Sequence, residues 1–300
     1  MRSRWLFVFL CFLGLSVQAE VRVDWSTEME LGYGYDSNVA VDDVDLTTET
    51  GDQFVDLSVS GGVEYQTAGG SSLSASLILS EKQYNQYDAF DGRLGLVSLA
   101  VQRRLSSFDL GLSIRYIDYW LDNEGFLNLT QVSPTIAWFP TKKTYLRAAY
   151  EYSDESFDID SSRDNKQHKI SVRGYLFLNG LKKYITTRVQ FLRDEAEDHI
   201  FNNDAGEIAI SYQQEISIGE EDLTVELGFR YQRRDYKKAI HPLLDGFRHD
   251  RRRRFEFQLT WPMSDSFALV AGVHRNDYRS NLESADYDQR VYMLSMKYEL

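Results

Sequence analysis

The sequence predicts an all-β chain, a single up-and-down antiparallel transmembrane β-barrel of about fourteen strands. Three observations predict it. Beyond residue 20, apolar residues recur with a period of two, which lines one face of a strand and not a helix stripe. The polar connections alternate short and long, as the two ends of a membrane barrel do. Aromatic residues gather at strand ends, where the two interfaces of a bilayer hold Trp and Tyr. The composition agrees: 43% apolar residues, 19 Tyr, 17 Phe, 5 Trp and only 4 Pro describe a packed chain, not a disordered one.

Residues 1–19 read as a secretory signal peptide. Arg2 and Arg4 form its positive start, Leu6 to Val17 its apolar run, and Val17-Gln18-Ala19 a small-residue cleavage site before Glu20. The run is too short for a membrane helix, and it holds the sole cysteine, Cys11. The rest of the chain therefore has no disulfide and no thiolate metal site. Cleavage removes two of 33 basic residues and none of the 46 acidic ones, so the mature chain is more negative than the full-length −13. Nucleic acid, bound through counterion release by basic surfaces, is excluded as a partner.

The strands follow in order through residues 20–300. Met29, Leu31, Tyr33 and Tyr35 mark the first, Val55 to Tyr65 the second, and Leu73, Ala75, Leu77 and Leu79 the third. Val97, Leu99 and Val101 carry the fourth, Phe108 to Tyr116 the fifth, and Val132, Ile136 and Trp138 the sixth. Leu146 to Tyr152, Ile170 to Leu178, Ile185 to Phe191 and Ile208 to Tyr212 continue the series. Leu223 to Tyr231, Phe255 to Trp261, Phe267 to Val273 and Tyr292 to Leu300 complete it. Short turns fall at Ala68-Gly69-Gly70, Ser106-Ser107, Pro140 to Lys143, Asn179-Gly180, Ser217 to Glu221 and Pro262 to Asp265. Asn179-Gly180 is read as a type I′ hairpin pair. Seven longer connections alternate with these turns, among them Asp36 to Asp52, Ser153 to Lys166 and Gln232 to Asp250.

Trp25, Trp138, Phe139, Tyr145, Trp261, Phe267 and Tyr298 fall near the short turns, and Tyr33, Tyr35, Trp120, Tyr152, Tyr231 and Tyr287 near the long loops. The expected location is the outer membrane of a Gram-negative cell envelope, with short turns in the periplasm and partners in outer-membrane lipid and lipopolysaccharide. The alternating C-terminal strand, ending at Leu300, resembles the signal that the barrel assembly machinery reads.

The first strand closes with Gly32-Tyr33-Gly34-Tyr35-Asp36-Ser37-Asn38-Val39. A strand ending in G-Y-D-S-N before an acidic loop resembles the opening of the barrels of the surface lipoprotein assembly modifier (Slam) family. That family places a helical-repeat periplasmic domain before its barrel. Here only a few residues separate Glu20 from the first strand, so the expectation is the barrel without that domain. The resemblance implies an export or assembly role with a periplasmic partner.

Alternation that puts the apolar set outward puts Arg115, Arg147, Arg173, Arg188, Arg230 and Arg254 inward, near mid-strand. Glu28, Glu30, Asp56 and Glu64 point inward from the first two strands. A basic arc facing an acidic wall would set a transverse field across a watery lumen. The other reading is that the arginines pair with inward carboxylates such as Glu151, Glu226 and Glu256 and fill the interior. The stretch Arg233 to Arg254, with nine Lys/Arg against three Asp, is read as a basic loop. Its Arg233, Arg234, Lys237, Lys238, Arg251, Arg252 and Arg253 would contact lipopolysaccharide phosphates or fold inward as a constriction. Asp42, Asp43, Asp45, Glu49, Asp52, Asp154, Glu155, Asp158, Asp160 and Asp164 make other loops acidic. Such oxygens suit Ca²⁺ or Mg²⁺, but no EF-hand spacing is present, so they read as solvated charge.

Catalysis is not expected. His249 beside Asp250 and the inward His274 are the only suitably placed histidines, and no G-x-S-x-G or H-E-x-x-H motif accompanies them. No cofactor is expected. The reading is a porin-like channel for small hydrophilic or anionic solutes. Its alternatives are an export or assembly barrel for surface lipoproteins or polymers, and a plugged barrel with a structural or adhesive surface role.

Overall fold

The computed structural model describes residues 22–41, 44–219 and 221–300. The signal peptide reading, Cys11, Asp42 and Asp43 lie outside the described residues. The barrel strands are β1 (Arg22–Asp36), β2 (Asp52–Gln66), β3 (Ser71–Tyr84), β4 (Gly92–Arg104), β5 (Asp109–Leu121), β6 (Glu124–Thr141) and β7 (Thr144–Phe157). They continue as β8 (Asn165–Asn179), β9 (Lys183–Ala196), β10 (Asn203–Ile218), β11 (Glu221–Asp235), β12 (His249–Pro262), β13 (Phe267–Ser280) and β14 (Tyr287–Glu299). Each pairs antiparallel with its chain neighbours, and β1 pairs with β14 from Glu28↔Glu299 to Asp36↔Val291, so the sheet closes. The predicted fourteen-stranded up-and-down barrel is what forms.

Alternation decides what each wall carries. Leu31, Val59, Leu77, Leu99, Ile114, Ile136, Val172, Val189, Ile210, Leu227, Phe257 and Leu294 are all exposed on the outside. A closed ladder leaves no unpaired backbone edge, so such an apolar exterior suits hydrocarbon. Trp25, Trp261 and Phe267 are exposed at the short-turn end of this band, and Tyr33 and Tyr35 at the long-loop end. Three aromatics assigned to the belts turn inward instead, the first being Phe139, whose ring lies 4.8 Å from that of Tyr145. Tyr287 is buried, and Tyr145 faces Tyr175 across the ladder with their rings 5.8 Å apart. Tyr175, Phe177 and Tyr184 extend that inner cluster toward the short turns.

The strands outrun the apolar pattern. They are 13 to 18 residues long, whereas about 9–11 tilted residues cross a bilayer. The excess is polar and projects at the long-loop end, which corrects the basic-loop reading. Arg233 and Arg234 end β11, and Arg251, Arg252, Arg253 and Arg254 lie in β12, with Arg233↔Arg251 and Arg230↔Arg254 in register. Only residues 236–248, with Lys237 and Lys238, are loop.

Two turns also differ from expectation. The connection between β5 and β6 is the two-residue turn Asp122-Asn123, with φ of 51° and 61°. Positive φ at both centres is the type I′ signature, so this hairpin is tight although it lies among the longer loops. At Asn179-Gly180 only the glycine is left-handed (φ 55°), and β9 starts at Lys183.

The G-Y-D-S-N segment closes the seam between β1 and β14. A Cβ at Gly34 would run into the Phe54 ring and the Tyr292 carbonyl, so no larger residue fits. Asp36 is buried and accepts hydrogen bonds from Asn38 N (3.0 Å), Tyr84 Oη (3.2 Å) and Gln289 Nε2 (2.8 Å). These bonds tie the end of the first strand to its neighbour β14 and, past β2, to the end of β3.

If the long-loop end faces outward, an epitope inserted after Asp160 should be labelled on intact cells and one after Gly180 should not. Labelling of the Gly180 site alone would reverse the orientation.

Candidate functional site

The lumen gathers charge from many strands into one space. Arg147, Arg173 and Arg188 are consecutive register partners on β7, β8 and β9. Arg188 then faces Ala209, Ala209 faces Arg230, and Arg230 faces Arg254. Five of the six predicted inward arginines thus form one hydrogen-bond row, interrupted only at Ala209. Neighbouring strands are about 4.8 Å apart, so the row is a continuous basic strip. The sixth, Arg115, joins Arg147, Arg173 and Arg188 in lining a cavity of about 200 Å³. Arg173, Arg188, Arg230 and Glu256 share a second cavity of about 250 Å³.

Pairing is partial. Arg188 meets Glu207 at 2.8 Å, and Arg230 lies 3.9 Å from the same carboxylate. Arg254 pairs with Glu256 at 2.5 Å. Arg115 donates to the neutral Gln131 (3.2 Å), while Glu151 is taken by Lys169 (2.8 Å). Among the described residues, no carboxylate lies within ion-pair distance of Arg147 or Arg173. The buried Nε of Arg188 and that of Arg230 have no hydrogen-bond acceptor. Glu207, the main counter-charge, was legible: it precedes the outward Ile208 and must therefore point inward.

The facing wall is acidic, and basic or neutral donors compensate part of it. Glu28 pairs with Lys297 at 2.9 Å, Glu30 accepts from the Ser295 hydroxyl, and Glu64 accepts from Gln66 at 3.0 Å. Asp56 sits opposite Lys82, whose ammonium lies 3.9 Å from the centre of the Phe54 ring.

At the long-loop end, four loops meet over the lumen. Asp45, with φ of 56° in a region that Asp tolerates, reaches Arg248 through two hydrogen bonds of 2.6 and 2.8 Å. It also lies 3.6 Å from Arg163, and Arg248 makes a second pair with Asp250 at 2.9 Å. The Arg248 guanidinium stacks over Tyr236 (4.6 Å) and that of Arg163 over Phe201 (4.1 Å). Inward Arg234 and Arg252 line the cavity of about 280 Å³ beneath this latch. Burial opposes ionisation of Asp45, but Arg248's hydrogen bonds and charge, helped by Arg163 and Arg252, hold its carboxyl below the ordinary range.

Glu49, Asp154 and Asp158 are exposed, but three other acidic residues of this set are not simply solvated charge. Asp52 is buried and accepts from the Gln86 and Tyr87 amides (2.6 and 3.1 Å), Asp160 from that of Ser162 (3.1 Å), and Asp164 from that of Phe157 (2.7 Å). They staple the loops. Among the described residues, no three His, Cys, Asp or Glu side chains converge to hold a metal ion. His249 contacts Asp235 (2.9 Å), while His274 lies in the lumen beside Glu256.

No protein family and no curated protein matches this sequence. Solved structures do match in fold. A bacterial polysaccharide outer membrane secretin aligns with a TM-score of 0.52 and 9% identity, over 91% of this chain and 98% of that one. An anion-selective porin from Comamonas acidovorans aligns with a TM-score of 0.56 and 7% identity, over 94% and 100%. OmpT, an outer membrane protein of Vibrio cholerae, aligns with a TM-score of 0.51 and 9% identity, over 93% and 98%. The shared property is the outer-membrane barrel fold.

The latch has a defined acid limit. Because the folded Asp45 carboxyl titrates below its unfolded value, its stabilisation is complete above about pH 4 and is lost as pH falls through the lower folded value. Protease nicking of loops 37–51 and 236–248 should stay constant from neutral pH down to about pH 4 and rise below it. Asp45→Asn should produce the nicked pattern at neutral pH, since removing one partner of a buried pair costs about 3 kcal/mol. Equal nicking of variant and wild type at neutral pH would show that the latch does not hold the loops.

Proposed function

We propose that this barrel is a porin-like outer-membrane channel whose lumen favours small hydrophilic anions. One observation carries the reading: five inward arginines share a row, with Arg147, Arg173 and Arg188 as consecutive cross-strand register partners. Like charges placed opposite one another destabilise a sheet. A row that costs stability and is only partly neutralised fits a surface kept for passing anions. Arginine stays ionised at any physiological pH, and salt screens the acidic loops from the row beyond about 8–10 Å. The carboxylates of β1 and β2 across the lumen complete the transverse field. The latch of Asp45 over the mouth narrows the entrance, so conductance should be small.

The likeness of Gly32 to Val39 to Slam barrels favours a second reading, an export or assembly barrel working with a periplasmic partner. Such a barrel would show no steady conductance alone. The plugged-barrel reading has its support in the latch, and Asp45→Asn separates it from the channel by opening the mouth.

The test is reversal potential of purified protein in a planar bilayer under a salt gradient. Wild type should be modestly anion-selective, with a preference that weakens at high salt. Of the six lumen arginines, Arg115, Arg147 and Arg173 have no carboxylate within ion-pair distance among the described residues, so changing them to Gln together should shift the reversal potential toward cations while leaving the Arg188–Glu207 pair intact. A closed wild type and a closed Asp45→Asn variant, or an unchanged reversal potential, would overturn the channel reading.

A further inference from the structure

The basic stretch that ends β11 and begins β12 is divided by the pleat. Arg234 and Arg252 face the lumen, whereas Arg233, Arg251 and Arg253 face outward with Arg275, Arg279 and Arg290. We infer that this outward face of β11–β14, at the long-loop end, binds the phosphate groups of lipopolysaccharide.

The six arginines form a compact grid. Arg233, Arg251 and Arg279 are consecutive register partners, and Arg275 lies opposite Arg290. Arg253 lies between these rows, opposite Asp277. Counter-charge is used unevenly. Arg279 holds Asp277 and Asp288, each at 3.0 Å, and Arg233 holds Asp235 at 3.1 Å. Arg251, Arg275 and Arg290 are exposed, and among the described residues no carboxylate lies within ion-pair distance of them. Arginines stacked in one row without matching acids repel one another, and a bound anion relieves that cost. Guanidinium forks fit phosphate oxygens in pairs.

The position of the grid selects the anion. Phe255 and Tyr292, both exposed on the outer surface, begin the apolar band in and just below its lower row. A ligand held here meets arginine at its head and hydrocarbon-facing aromatics beneath it. That is the layout of a phosphorylated, acylated amphiphile, not of a free ion. The patch is also one-sided. The outward rim of β3–β7 carries Glu81, Asp118 and Asp154 with Arg93, which Glu81 already neutralises at 3.0 Å. With the long loops outside, the grid lies in the leaflet built from lipopolysaccharide. The inference rests on that orientation and not on the channel reading.

The full chain in detergent micelles can be titrated with purified lipopolysaccharide, with the same material stripped of its lipid A phosphates, and with phosphatidylglycerol. Bound lipid is read by native mass spectrometry. Wild type should bind the phosphorylated form at least about tenfold more tightly than either other lipid. The triple variant Arg251→Ser, Arg275→Ser, Arg290→Ser should lose at least about tenfold, and Arg93→Ser should bind as wild type does. A heat-shift gel reports whether the triple variant is folded, and if it is not, the dephosphorylated probe on wild type still decides. Equal binding of phosphorylated and stripped lipopolysaccharide overturns the site, as does wild-type affinity in the folded triple variant. Equal affinity for phosphatidylglycerol overturns the assignment to lipopolysaccharide.

Discussion

Everything in this structure depends on closing the sheet. In hydrocarbon an unpaired amide or carbonyl costs several kcal/mol, so a β-structure survives there only if its first and last strands meet. The ladder from Glu28↔Glu299 to Asp36↔Val291 is that meeting. The residues around it are chosen to make it fit: Gly34 lets the Phe54 ring approach, and buried Asp36 collects donors from Asn38, Tyr84 and Gln289. A motif that reads in sequence like a family signature therefore has a local task in the barrel itself.

Closure converts a period of two into two surfaces of opposite chemistry. Across its apolar band the outside takes Leu, Val, Ile and aromatic residues, which suit hydrocarbon. The inside takes Arg, Glu, Asp, Gln and Ser. Inside, stability and use pull against one another. Glu207 and Glu256 offset part of the arginine row, and Lys297 offsets Glu28 on the far wall. Arg147 and Arg173 are left facing one another across strands.

The loops show the same economy of charge. Acidic residues that look like a solvated fringe turn out to accept backbone amides, as Asp52 and Asp164 do, or to tie distant loops together. Asp45 and Arg248 are 203 positions apart in the chain and share two short hydrogen bonds. The pair is worth having where solvent is thin, because the same two ions fully exposed would contribute little.

Periodicity along the chain was enough to settle the barrel, its strand number and the alternation of faces along each strand. Alternation is a local property: once Ile208 is outward, Glu207 has nowhere to point but in. Strand ends were not legible, because apolar alternation stops where the membrane stops while hydrogen bonding continues, as at Gln232 to Asp235 and His249 to Arg252. The tight turn at Asp122-Asn123 was hidden for the same reason. Which charges meet is settled by the packing of strands and loops. Register between strands places Arg147, Arg173 and Arg188 in one row, and loop packing carries Asp45 to Arg248. Both are contacts between residues whose separation along the chain leaves no periodic trace.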